Sequence, residues 1–171
     1  MISNENCSTA PKVKTLPLLE DSELKAMHRS YRWAYLAGLA LCVFWPLMLQ
    51  LLFTSFIAPG QNAPDGVVKQ LGYTFTGLVL LCTAFVTWRW GKVRTGFRDL
   101  EPAERPKVMA REILLYSALF EVSCFFGLAY WALAGFEGVR FARSFIVLTS
   151  IMFFCFVPRF DAWRRAAEGN V

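Results

Sequence analysis

The run Ile113 to Phe136, ILLYSALFEVSCFFGLAYWALAGF, holds one carboxylate near its middle, Glu121. A stretch of that length and character crosses a bilayer as a single helix. Placing an acid there is expensive. At ~1.5 Å of rise per residue, Glu121 lies about 13 Å in from Glu112, close to the hydrocarbon midplane. Helix-centre penalties for an acidic residue are about 2.5 to 3.5 kcal/mol, so such a group faces the bundle interior, finds a partner or sits neutral. Helical spacing puts Ser117 and Leu114 below it and Cys124 and Leu128 above it on the same face.

Composition extends this to the whole chain. Hydrophobic residues make up 56% of the 171 and aromatics 16%, with a mean hydropathy of +0.39, too apolar for a water-soluble domain of this size. The expected fold class is therefore all-α, a polytopic four-transmembrane-helix bundle with short interfacial helices. Cys7 falls in the N-terminal tail, and Cys42, Cys82, Cys124 and Cys155 fall one in each apolar run, with no C-x-x-C pair. That spacing suggests buried small hydrophobes rather than disulfides or a zinc site. His28 is the single histidine and lies outside the apolar runs, so a bis-histidine haem within this chain is excluded and no cofactor or metal is expected.

Residues 1–20 mix polar residues with Pro11 and Pro17 and read as a disordered cytoplasmic tail, without the features of a signal peptide. A helix is predicted from Asp21, a plausible cap, with Leu24, Met27, His28 and Tyr31 forming a face suited to the membrane surface. The four-helix transmembrane domain then covers 21–165, with spans at about 34–58, 71–88, 113–136 and 144–158, and 166–171 as a cytoplasmic tail. Pro46 should kink the first span and free the carbonyl near Cys42, an acceptor that must be satisfied on the protein-facing side. Gly91 and Gly96 are expected to break the polar connection 89–112, and Pro102 and Pro106 to open a short surface helix within it. The fourth span is short between Arg143 and Arg159, so these arginines are expected to snorkel or the bilayer to thin. A weak echo between the two halves raises the idea of a duplicated hairpin.

Fifteen of the eighteen basic residues lie in the tails and the 89–112 connection, against Lys69, Arg140 and Arg143 on the other side. Both termini are therefore expected in the cytoplasm of a cell with a bacterial-type inner membrane. Arg89, Lys92, Arg94, Arg98, Arg105, Lys107 and Arg111 are candidates for contact with anionic lipid headgroups, each contributing on the order of 1 kcal/mol. Nucleic acid is not an expected partner, because the cations sit at membrane boundaries. No metalloprotease, serine-hydrolase or P-loop motif is present, and an enzyme is not expected.

Two functional readings remain. The first is a non-enzymatic small subunit or accessory factor, packed against itself or within a larger membrane complex. The alternative is a small proton- or cation-coupled transporter using Glu121, with Ser117, Thr83 or Gln50 as partners. The pattern differs from two families with a mid-membrane carboxylate. Rotor-ring proteolipid subunits carry a glycine-rich packing helix that is absent here, and small multidrug antiporters carry their glutamate in the first span rather than the third.

Overall fold

A computed structural model describes residues 21–56 and 64–169, all of it helix, turns and short connections. The expected N-terminal tail lies outside the described residues. Helix α1 (Asp21–Leu39) passes through one π turn (Ala40–Phe44) into α2 (Trp45–Phe56). The cause is local: Pro46 offers no N–H, and the Trp45 N–H reaches back to Ala40 O, closing the wider turn. Pro46 is fully buried, so the irregular backbone faces protein, the one side on which it is tolerated.

Helix α3 (Asp65–Gly96) ends in a 3-10 turn at Phe97–Asp99. Its 32 residues amount to about 48 Å, well beyond a ~30 Å hydrocarbon core. Gly91 lies inside this helix rather than breaking it, with nothing near the position of a Cβ, while Gly96 is its last residue. The expected separate surface helix is likewise absorbed: α4 (Arg105–Phe156) starts with Pro106 in its first turn and runs straight into the third span.

Helix α4 is a hairpin. It turns back at Gly135, whose φ of 63° and ψ of −153° suit only glycine. The returning arm is helical well before Ser144, so Arg140 and Arg143 sit on its first turns rather than capping a short span. The two arms pack so closely that a Cβ on Gly127 would lie 2.7 Å from Ala142 O. A final short helix, α5 (Phe160–Glu168), buries Ala166 and Ala167, so the folded part extends into the stretch expected to be a tail.

Among the described residues, four helical stretches are long and apolar enough to cross a membrane: Asp21–Ser55, Gly66–Asp99, Arg105–Gly135 and Gly138–Glu168. The chain is an all-α bundle with the character of a multi-pass membrane protein. The third stretch is its centre, with 50% of its most apolar window buried, against 44% for the fourth, 17% for the first and 11% for the second. The first and second stretches each pack chiefly on α4 and hardly on one another, which is not the arrangement of two equivalent hairpins.

One end of the bundle is closed by α5. Trp163 is fully buried, its ring centroid 4.6 Å from that of Trp90 and 5.0 Å from that of Phe97. His28 and Tyr31 meet Phe160 with centroids 5.2 and 5.4 Å apart, and Met27 is fully buried. Met27 and Tyr31 of the face expected to lie on the membrane therefore pack within the bundle, while Leu24 and His28 border an open cleft, because α1 continues into the first span without a bend that would lay it flat.

Candidate functional site

Glu121 lies on the buried face of the central helix and is 5% exposed. Burial on α4 groups it with Ser117, Ser123 and Cys124. Across from it is the π turn, where the buried Cys42 thiol donates to Ser117 O at 3.3 Å. The returning arm adds two polar links: Ser150 Oγ donates to Cys42 O at 2.8 Å, and Ser123 Oγ donates to Phe145 O at 2.9 Å. The acceptor freed by Pro46 is thus satisfied by a neighbouring helix, as expected for irregular backbone at membrane depth.

The carboxyl itself is not satisfied. Neither oxygen of Glu121 has a hydrogen-bond partner among the described residues, although both are buried. The nearest polar neighbour is the thiol of Cys124, which lies beside the carboxyl on the same helix. Ser117 Oγ donates to Ile113 O on its own helix at 2.8 Å. Thr83 also turns to its own helix, donating to Val79 O at 2.9 Å, and Gln50 is only half buried, with its backbone carbonyl accepting from Thr54 Oγ1. The structure thus brings Ser117 near the site as a backbone acceptor for Cys42, but gives Glu121 no partner from Ser117, Thr83 or Gln50. No set of three His, Cys, Asp or Glu side chains among the described residues is arranged to hold a metal.

The cations of the 89–112 segment divide. Arg89 is committed to Glu112 by a two-pronged ion pair, Nε to Oε2 at 2.6 Å and Nη2 to Oε1 at 2.7 Å. Glu112 is 2% exposed, and the Tyr116 hydroxyl lies beside it. This pair ties α3 to α4 across the connection and takes Arg89 out of the set able to greet a headgroup. Arg105 is withdrawn in the same way: it bonds Glu23 at 2.7 Å and the carbonyls of Leu100 and Arg98. Lys92 rests over the Trp88 ring at 4.3 Å, and Arg98 packs against Gly169. Arg94, Lys107 and Arg111 are exposed.

Besides an open one of about 800 Å³ along Arg143 and Val147 of the returning arm, two clefts among the described residues escaped the sequence reading. One, of about 650 Å³, runs along α1 between Lys25, His28, Arg29 and Arg32, with Trp33 and Phe160 as walls. Its signal was present, since Lys25, Arg29 and Arg32 recur at helical spacing on the face opposite Met27. The other, of about 910 Å³, lies between α3 and the returning arm of α4, and no periodicity within one segment could have revealed it. Neither cleft reaches Glu121. No protein-family model matches the chain, and no curated protein or solved structure is significantly similar to it.

Proposed function

We propose that the protein is a non-enzymatic small subunit or accessory factor of a membrane assembly, resident in a bacterial-type inner membrane with both termini cytoplasmic. The observation that carries this reading is the enclosure of Glu121: it is 5% exposed and lines neither of the two clefts described above, so neither of them delivers a substrate ion to it. In that setting the side chain fills space in the centre of the bundle, packed among the helices around it. The outward faces of the first and second stretches supply surface for neighbours, with Phe44, Leu51 and Leu81 each about two-thirds exposed (64%, 66% and 67%). The distribution of Lys and Arg supports the orientation.

The second reading, a proton- or cation-coupled carrier, is favoured by one feature, the π turn facing a partnerless acid, since such turns concentrate at working sites. Glu121→Gln separates the two. As a subunit, the variant accumulates and co-purifies in mild detergent with the same companions as the parent. As a carrier, it inserts normally but loses proton-dependent flux in vesicles. Loss of companions with flux intact would remove the subunit reading, and unchanged flux would remove the carrier.

A further inference from the structure

The cleft between α3 and the returning arm of α4 has the polarity of a lipid molecule. Its mouth carries Lys69 and Arg140, contributed by different helices. Its walls are apolar further in, formed by Phe145, Leu148 and Ile151. Tyr130 pins the mouth by donating to Val68 O at 2.6 Å, fixing the spacing of the two helices where the cations stand. The cleft also has a defined depth. From Arg140 to Ile151 the helix rises about 16 Å, and half of a ~30 Å hydrocarbon core is about 15 Å, so the groove runs from one interface to the midplane. No described carboxylate pairs with Lys69 or Arg140, and none lines the cleft to receive the ammonium of a zwitterionic headgroup.

We infer that this cleft seats one phospholipid with an anionic headgroup, drawn from the leaflet at the Gly135 end of the bundle. Its phosphate lies at Lys69 and Arg140, and one acyl chain follows Phe145, Leu148 and Ile151 inward. Two cations from separate helices recognise net negative charge, while the apolar floor requires a chain; a soluble phosphate would satisfy the first condition and leave the second empty. The inference is independent of the role assigned to Glu121.

The test uses the full chain in nanodiscs of equimolar phosphatidylcholine and phosphatidylglycerol, transferred to mild detergent, with retained lipid counted by native mass spectrometry. The parent should retain phosphatidylglycerol over phosphatidylcholine roughly tenfold, the scale set by one to two interfacial charges. Lys69→Gln with Arg140→Gln should bring the ratio to parity. Thr76→Trp, which fills the cleft without altering its charge, should lower retention of both lipids. All three positions are exposed, and unchanged circular dichroism verifies the helices. Equal retention by the parent would overturn the inference. So would a preference that survives the paired charge change, one that vanishes only on neutralising Lys25, Arg29 and Arg32, or retention unaffected by Thr76→Trp.

Discussion

Ser150 Oγ donates to the carbonyl of Cys42 at 2.8 Å, bridging the returning arm of α4 to the π turn of the first stretch. The bond exists because Pro46, four residues on, cannot supply the N–H that this carbonyl would receive in a regular helix. Ser150→Ala should cost about 1 kcal/mol, the scale of an interhelical hydrogen bond in a membrane bundle. In a Pro46→Ala background the same change should cost less, because the restored N–H takes over the acceptor. Unfolding of both backgrounds in mixed micelles measures the difference. Equal costs would mean that the two residues are not coupled.

Arg89 and Glu112 predict a different pattern. Glu112→Gln leaves a guanidinium facing a neutral amide in a largely enclosed place and should lower stability by roughly 2 kcal/mol, less than for a fully buried pair because Arg89 is 28% exposed. Removing both charges as Arg89→Gln with Glu112→Gln should recover part of the loss. The double-mutant cycle from unfolding midpoints gives the coupling, and an additive result would deny the pair its role.

Glycines offer a contrast in packing. Gly127→Ala pushes a methyl into backbone, the carbonyl of Ala142, and should cost about 1 to 3 kcal/mol by forcing the arms of α4 apart. Gly77→Ala meets nothing within 4 Å and should be neutral or gain up to about 1 kcal/mol from helix propensity. Thermal denaturation in detergent ranks the two, and a reversed order would contradict the packing described.

An acid without a partner is a burden that a hydrocarbon side chain would lift. Glu121→Leu should raise stability by about 1 to 2 kcal/mol, since no hydrogen bond is lost and a polar group is removed from the interior. A fall of that size would show that the carboxyl has a partner in the membrane.

Orientation is checked by thiols placed at Gly66 and Lys107, exposed positions at opposite ends of the bundle. An impermeant maleimide should label Gly66→Cys from outside intact cells and Lys107→Cys only after lysis. Phe97 would be a poor choice for such a probe, because it is fully buried beneath Trp163.

Much of this architecture was legible because lipid imposes simple rules. The apolar run around Glu121 identified the central helix, since a segment able to hide an acid must be surrounded by others. The acceptor at Cys42 followed from Pro46 alone. What stayed hidden depended on residues far apart in sequence or on how far a helix continues. Arg89 reads as a surface cation until Glu112 is brought to it by the return of the chain. Gly91 reads as a breaker until its open surroundings and continuous helix are seen. The failure to find a donor for Glu121 from Ser117 or Thr83 has a common cause: both hydroxyls are taken by carbonyls one turn back on their own helices.

The tight reversal at Gly135 bears on the order in which the chain can assemble. The two arms of α4 are joined with almost no intervening loop, so little closure entropy opposes their union. The two earlier stretches, made first during synthesis, find few contacts with each other and must wait in the bilayer until the C-terminal hairpin emerges as their template. A nascent chain stopped before Arg105 would therefore be inserted but unconsolidated, an early target for proteolytic clearance.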